Sequence, residues 1–366
     1  MKKIKLGKTI KDSFYLSDYF KEREKVVIFN DKELIIQKRN LKAEVPKNAL
    51  VELTNACNHA CVFCYNPEMN RETSNLDLDL YQSFIKKCVK EGVEEVGLYS
   101  TGEPFMTKNL DEYIKFAKNL GIRRVYITTN GALASFDKVK KCIEAGLDSI
   151  KFSLNAGSKE TYKTIHGYDD FEKVIKNITD IFNYIKENKI KLQILGSYVF
   201  TDLTVKEIES YVDNYGYLFE DISFFKAGNQ GGHTLERSSR ITKKINEISE
   251  NNLRTNFEPP CEMLWNRLHL TSEGFFTGCC VDYENSLVYK KFEKDESIKD
   301  QFNSSDIINL RKKHLENNLD GTLCKNCLYN VDEPYEKIMN SSAKNSKKND
   351  KKEKNLKIRV DLIENI

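Results

Sequence analysis

From Ala49 onward, short apolar runs alternate with longer stretches whose apolar residues recur every three to four positions, which predicts strands alternating with amphipathic helices. ALVELT opens the series as a strand and runs into a loop rich in cysteine. Helices are expected at 78–92, 109–121, 136–146, 171–188 and 204–216, several of them stopped by a glycine. Between and after them, strands are expected at 94–100, 123–129, 148–154, 190–200 and 221–228. Six strands separated by five helices imply right-handed crossovers and a parallel sheet covered by helices. The strands read as mostly apolar runs, which suits a sheet buried on both faces. Six units fall short of a closed eight-fold barrel. The expected fold class is therefore α/β, a partial (β/α)6 barrel, with its reactive groups at the C-terminal strand ends and in the loops that follow.

Outside that array the rhythm changes. Residues 1–48 are mixed and charged, with a hairpin expected at 25–37 around Asn30-Asp31. After Gly228 a short helix is expected at 241–252, a hairpin at 266–280 turning at Ser272–Gly274, and an amphipathic helix at 306–318. Residues 229–338 look too thin in apolar positions for a full core and read as a smaller domain stapled by its cysteines. From Ser341 the chain is lysine-rich and nearly free of apolar residues, so 339–366 is expected to be a solvated, disordered tail. The expected divisions are thus 1–48, 49–228, 229–338 and 339–366.

Composition narrows the class of protein. The 366 residues are 40% hydrophobic and 11% aromatic, which excludes global disorder. Fifty-eight basic against fifty-five acidic residues leave +3, too little to imply a nucleic acid or an acidic lipid surface as partner. No apolar run approaches the roughly 20 residues of a membrane span, and the basic N-terminus lacks an apolar secretion segment. A soluble, cytoplasmic chain with no membrane partner is expected. In that reducing compartment, ten cysteines read as metal ligands or free thiols rather than disulfides.

Eight of the ten fall in two groups: Cys57, Cys61 and Cys64, then Cys261, Cys279, Cys280, Cys324 and Cys327. A specified C-x3-C-x2-C triplet arises by chance in about 0.7% of chains of this length and cysteine content, so the clustering asks for a chemical reason. Cys88 and Cys142 sit on apolar helix stripes and are expected in the core. Three thiolates at the first spacing can hold a [4Fe–4S] cube and leave one iron without a protein ligand, the open position that a catalytic metal needs. The competing assignment is zinc with His59 as fourth ligand, disfavoured because His59 lies only two residues from both Cys57 and Cys61. In the second group Cys261, Cys279, Cys324 and Cys327 fit tetrahedral zinc or a fully ligated cube equally well on spacing.

The run CNHACVFC, with Phe63 just before the third cysteine, resembles the signature of the radical S-adenosylmethionine (SAM) enzymes. The resemblance extends over residues 53–228. Thr101-Gly102-Glu103-Pro104 after the second strand is similar to the family's GGEP segment, with Thr101 in place of the first glycine. Thr129-Asn130-Gly131 after the third strand matches a common turn, and Ser153-Leu154-Asn155 after the fourth is similar to an SLD-like segment, with Asn155 in place of the aspartate. The resemblance implies a [4Fe–4S] cluster on Cys57, Cys61 and Cys64 with SAM on its open iron. Phe63, Gly102, Glu103, Pro104, Asn130, Ser153 and Asn155 are then the candidate SAM contacts. Electron transfer into SAM releases methionine and a 5′-deoxyadenosyl radical in this family.

The second group, with Gly274 shortly before Cys279-Cys280, is similar to the twitch domain, the shortened form of the SPASM extension. That similarity implies an auxiliary [4Fe–4S] cluster on Cys261, Cys279, Cys324 and Cys327; spacing does not separate Cys279 from Cys280, and Cys279 is chosen by analogy with the family hairpin. A closed cluster is suited to accept an electron, which points to oxidation of a substrate radical. The expected activity is a radical SAM oxidoreductase acting on a sugar-like or cyclitol alcohol. The alternatives are a radical SAM peptide maturase and, in another class, a zinc-stabilised binding protein without catalysis. A low-potential donor such as flavodoxin or ferredoxin is the expected redox partner. Tyr99, Lys226, Asn229, Gln230, Glu262 and Arg267 are candidate substrate contacts, while His166, His233, His269 and His314 receive no catalytic role.

Overall fold

The computed structural model describes residues 40–248 and 260–339, together with Lys354 and Lys357. The hairpin expected at 25–37, the end of the helix expected at 241–252, and all but a few residues of the lysine-rich tail lie outside the described residues.

The alternation read from the sequence folds as α/β layers. In chain order the first half comprises β1 (Asn48–Val51), α1 (Leu78–Lys90), β2 (Glu95–Gly97), α2 (Leu110–Asn119), β3 (Arg124–Thr129), α3 (Phe136–Glu144) and β4 (Ser149–Ser153). It continues through α4 (Lys159–His166), α5 (Phe171–Asn188), β5 (Gln193–Phe200), α6 (Ile208–Tyr215) and β6 (Asp221–Lys226). The causes are local. In α1 the Asp77 side chain caps Leu80 N at 3.0 Å, and Tyr81, Phe84, Ile85 and Cys88 form the buried stripe. Each large apolar side chain so buried contributes about 1.5–3 kcal/mol. Cys88 and Cys142 are 0% and 1% exposed and belong to the core, as their stripes predict.

Helix α4 was not anticipated. KETYKTIH is short and polar, yet Ser158 caps it and Gly167, at φ +76°, stops it. The remaining elements are α7 (Leu235–Ile241), α8 (Lys243–Ile248), α9 (Met263–Asn266), β7 (Leu268–Leu270), β8 (Phe275–Thr277), β9 (Val288–Lys291), α10 (Ile298–Gln301), α11 (Ser305–Leu315) and α12 (Leu323–Tyr329).

Among the described residues nine strands form one sheet in the order β6-β5-β4-β3-β2-β1-β7-β8-β9. β1 to β6 are parallel, with Asn48 opposite Glu95, Val96 opposite Val125 and Thr128 opposite Lys151. Among the described residues β6 and β9 are the two ends of that order. The hairpin expected near 272–274 is present as β7–β8, but β7 also pairs in parallel with β1, Ala49 opposite Leu268 and Val51 opposite Leu270. One contiguous core runs from Ala43 to Leu328, and the second segment adds Leu264, Trp265, Leu268, Phe276, Phe302 and Leu310 among others to it, so it is better cored than its sequence suggests and shares that core with the first.

Polar ties reinforce that join. Arg71, 1% exposed at its side chain, meets both Glu52 at the end of β1 and Glu273 in the hairpin turn at 2.5 Å. Burial by itself would raise Glu52, yet the guanidinium and the Ser272 and Thr101 hydrogen bonds hold it below the usual carboxylate value. Residues 40–43 cross to the second segment, where Trp265 Nε1 donates to Asn40 O at 2.9 Å and Asn303 Nδ2 donates to Ala43 O at 2.9 Å.

The strands differ from expectation in one respect. In β3, Val125, Ile127 and Thr129 are buried while Arg124, Tyr126 and Thr128 are partly exposed on the opposite face. One face of the sheet is polar at its centre because it lines a recess rather than a second layer of core.

Candidate functional site

The cysteine loop follows β1, an interior strand between β2 and β7, and is anchored before its thiols diverge. Ala60 N and Val62 N donate to His166 O and Ile165 O, so the unforeseen α4 pins the loop from behind. Glu103 N donates to Ala56 O at 2.8 Å, which brings the segment after β2 against the loop. Gly102 permits that approach: a Cβ there would lie 2.3 Å from Thr54 O and 2.6 Å from Ala56 O. Gly131, at φ +82°, makes the turn after β3, where a Cβ would meet Val174 at 2.9 Å.

Glu103 is the hub of the rim. Its Oε1 accepts from Thr129 Oγ1 at 2.7 Å and Phe105 N at 3.1 Å, and its Oε2 accepts from Asn130 N at 2.9 Å. Burial pushes its carboxyl up to about 7 despite those donors. Asn130 Nδ2 reaches Asn58 Oδ1 at 2.9 Å and stands 4.0 Å from Cys57 Sγ, so the turns after β1, β2 and β3 meet. Pro104 opens the 3-10 turn that follows and is buried. Ser153 ends β4 and is partly exposed.

Two candidates face inward. Asn155, at φ +57° and 1% exposed, accepts from Val199 N at 2.8 Å through Oδ1, while its Nδ2 contacts Ser153 O and His166 Nε2. Its amide thus ties β4 to β5. Phe63 packs with Val62, Ile165, Ala227 and Ile241 in a small apolar cluster that backs Cys61 and Cys64.

Cys57, Cys61 and Cys64 are partly exposed. Burial, the Glu103 carboxylate and the nearby Cys64 push Cys57 up to about 12, a thiol that ionises when a cation binds it. Cys64 Sγ lies 3.5 Å from Tyr283 Oη and Cys61 Sγ 3.5 Å from His166 Nδ1. His166 also meets His59 Nδ1 at 3.1 Å, and His59 Nε2 meets Asp170 at 3.2 Å. Neither His166 nor Tyr283 was assigned a place by sequence. His166 closes a helix too polar to stand out, and Tyr283 arrives from 219 residues downstream.

The second group assembles from three elements. Cys261 precedes α9, Cys279 follows β8, and Cys324 and Cys327 lie on α12. Burial raises Cys324, reinforced by Cys261 and Cys327; burial likewise pushes Cys327 up to about 12, reinforced by Cys261 and Cys280. Cys279 is raised first by its hydrogen bond with Cys280 and then by burial, Cys327 and Cys261. The thiols of this group thus lie within electrostatic reach of one another, Cys280 included. Cys280 is held low by Cys279, His269 and Arg267 and also acts on Cys327, while its carbonyl accepts from Ser100 Oγ at 2.9 Å.

Among the described residues, the one set of three such groups with ligand atoms all within 4.8 Å is His59, Cys61 and His166. Neither cysteine group closes to the sulfur–sulfur edge of about 3.8 Å that tetrahedral zinc with 2.3 Å bonds requires. His59 turns to His166 and Asp170, not into a zinc set with Cys57 and Cys64.

The candidate substrate contacts divide. Tyr99 and Arg267 line the recess on the polar face of the sheet. Asn229 instead donates to Cys327 O at 2.8 Å and Asn330 Oδ1 at 2.6 Å, bracing α12, and Gln230 accepts from Tyr283 Oη at 2.8 Å. Glu262 accepts from Asn266 at 2.7 Å within α9. Lys226 ends β6, where burial lowers its ammonium.

The family model described as "Radical SAM superfamily" matches residues 51–212. Residues 51–212 are a radical SAM domain. Membership implies a [4Fe–4S] cluster and SAM as its cofactors. Among curated proteins, the chain is similar to a "Probable GTP 3′,8-cyclase" of Saccharolobus solfataricus, 38% identical over 128 residues, 35% of this chain and 41% of that one. A protein of the same description from Sulfurisphaera tokodaii is 31% identical over 163 residues, 44% of this chain and 50% of that one. The matches thus span about half the length of these relatives. Among solved structures, BtrN in complex with AdoMet and 2-DOIA aligns with TM-score 0.52 at 20% identity, covering 77% of this chain and 93% of that one. Streptococcus suis SuiB bound to precursor peptide SuiA aligns with TM-score 0.57 at 17% identity, covering 80% and 71%. The radical SAM domain and its neighbours share this fold. Among the described residues, no helix is long and apolar enough to cross a membrane.

Proposed function

We propose that this chain is a radical SAM oxidoreductase whose second cysteine group holds an auxiliary [4Fe–4S] cluster, and that it oxidises a sugar-like or cyclitol alcohol. The observation that carries the reading is the convergence of Cys261, Cys279, Cys324 and Cys327 beside the rim of the radical SAM domain. Four thiolates saturate a cube, which leaves that cluster no position for SAM and suits it to electron transfer. When bound, the first cluster and SAM supply the radical that removes hydrogen from a substrate C–H bond, and the second supplies an acceptor for one electron.

The chain's own residues set the stage for that chemistry. Cys57, Cys61 and Cys64 leave one iron of a cube open, and Glu103, Thr129 and Asn130 fix the rim around it. Tyr283 spans the two sites, with its hydroxyl against Cys64 and its backbone three residues past Cys280. On the substrate, loss of a hydrogen atom from carbon, then of the hydroxyl proton and one electron, yields a carbonyl. BtrN, captured with AdoMet and 2-DOIA, has a fold that this chain follows over most of its length.

Anaerobic reconstitution with iron and sulfide tests the reading. About eight irons per chain, SAM-dependent deoxyadenosine, and a product two hydrogens lighter than its substrate are expected. A product of unchanged hydrogen count would point to the cyclisation named for the curated relatives, and a modified peptide to a maturase. A colourless protein holding zinc would overturn both radical readings.

A further inference from the structure

The chain leaves Cys64 through a 3-10 turn, Asn66–Glu68, whose place is fixed from both sides. Asn66 Nδ2 donates to Asn55 O and to Thr101 O, each at 2.8 Å, and Asn66 N approaches Cys64 Sγ at 3.4 Å. Glu68 N donates to Tyr65 O at 2.9 Å, which sets the Glu68 carboxylate just beyond the thiol.

Helix α7 packs against the same loop. Its last residue, Ile241, clusters with Val62 and Phe63, and Ile241 O accepts from Asp202 N at 2.8 Å. From the middle of α7, Arg237 Nη1 donates to Glu68 Oε1. The Arg237 side chain is only 10% exposed. Its other two nitrogens, Nε and Nη2, are buried and have no hydrogen-bond partner among the described residues. The groups whose charge favours the Arg237 cation are Cys64, Tyr283 and Tyr65. A guanidinium presents Nε–H and one Nη2–H as a parallel pair, the edge that takes an anionic acceptor at two points. Burying that edge without an acceptor carries the desolvation penalty of a charged donor. Glu68 sits at Nη1, so the paired edge calls for an acceptor from outside the protein's own side chains. The sulfurs at one corner of an iron–sulfur cube are such acceptors, and hydrogen bonds to them tune its potential.

We infer that Arg237 is a positioning residue for the first cluster: Glu68 steers its guanidinium, and Nε and Nη2 donate to the sulfurs around Cys64, setting the potential at which the cube is reduced. The inference rests on membership of the radical SAM family, and on neither the oxidoreductase reading nor the second cysteine group. In the step concerned, one electron from a low-potential donor enters the cube; no covalent bond breaks and no proton moves. The cube becomes one charge more negative, so a cation and two N–H donors at its sulfurs stabilise the reduced form more than the oxidised one. The potential rises accordingly.

Reductive titration of the reconstituted protein, followed by electron paramagnetic resonance, tests this without turnover. The signal to follow is the one that changes on adding SAM, since SAM binds the open iron. Arg237→Met should make reduction of that cluster about tenfold less favourable, a fall of about 59 mV for one electron, with iron content kept. Arg237→Lys, which keeps the charge and loses the fork, should recover part of the shift. Lys206→Gln, on an exposed surface, should change nothing. A second measurement needs no stable Arg237→Met protein. Wild-type protein grown with nitrogen-15 arginine should show a nitrogen coupling to the reduced cluster, and Arg237→Lys should lose it. An unmoved potential in Arg237→Met, or no such coupling in the wild type, would overturn the inference. Weaker SAM binding at an unmoved potential would overturn it too, by giving the fork to the SAM carboxylate. Failure of the wild-type protein to form any SAM-responsive cluster would instead overturn the first site itself, and this inference with it.

Discussion

The two cysteine groups reach similar chemistry by opposite routes. Cys57, Cys61 and Cys64 sit within eight residues of one loop, so their convergence is set locally once β1 and α4 fix its ends. Cys261, Cys279, Cys324 and Cys327 span 67 residues and meet only because β8, α9 and α12 have packed. In the proposed reading the first group, with three thiols, would leave a metal position open and the second, with four, would close it. A reactive centre would then be encoded in a short segment, and an electron-handling one in tertiary structure.

The largest effect expected is at the local group. Cys57→Ala, Cys61→Ala or Cys64→Ala should bring deoxyadenosine to background, read by chromatography of SAM reactions; retained cleavage would remove the first site from the comparison. Next, Cys324→Ala should lose about half the iron and keep deoxyadenosine formation while product disappears, with 4–8 irons resolved by chemical analysis. Normal product would make the second group a staple. Third, Arg71→Met should cost about 3–5 kcal/mol in denaturant unfolding, because it leaves Glu52 buried without its cation.

A smaller effect concerns Glu103. Its folded value of about 7 lies above the unfolded 4.5, so the folded state holds the proton more tightly. Stability of the cluster-free protein should therefore fall as pH rises from 4.5 through 7, by at most about 3 kcal/mol, and Glu103→Gln should flatten that slope. Smallest of all, Tyr283→Phe should keep full iron and shift the redox potential of the first site alone, measured by titration monitored by electron paramagnetic resonance. A shift at the second site instead would reverse the assignment of the bridge.

Much of this was legible in the residues. The period of apolar positions located every strand of the parallel array and five of its helices, since each buries a continuous stripe. Helix α4 escaped because its signal lies in its caps, Ser158 and Gly167, rather than in apolar repetition. The rim segments at Gly102, Glu103 and Asn130 were visible as motifs, but the inward turn of Asn155 depends on Val199 and His166, partners on other elements. The charged recess was read only in part, as Tyr99 and Arg267, because Arg124 and Lys151 look like ordinary surface positions until the sheet curves them together.

The pairing of β7 with β1 carries a consequence for dissection of the molecule. Cutting the chain after Gly228 would strip the neighbour from one side of β1 and bare a row of backbone donors and acceptors in the middle of the sheet, an adhesive border that invites self-association. The N-terminal half would then be expected to clump rather than to serve as a minimal catalyst. Loading iron into either half is for this reason a task for the intact polypeptide.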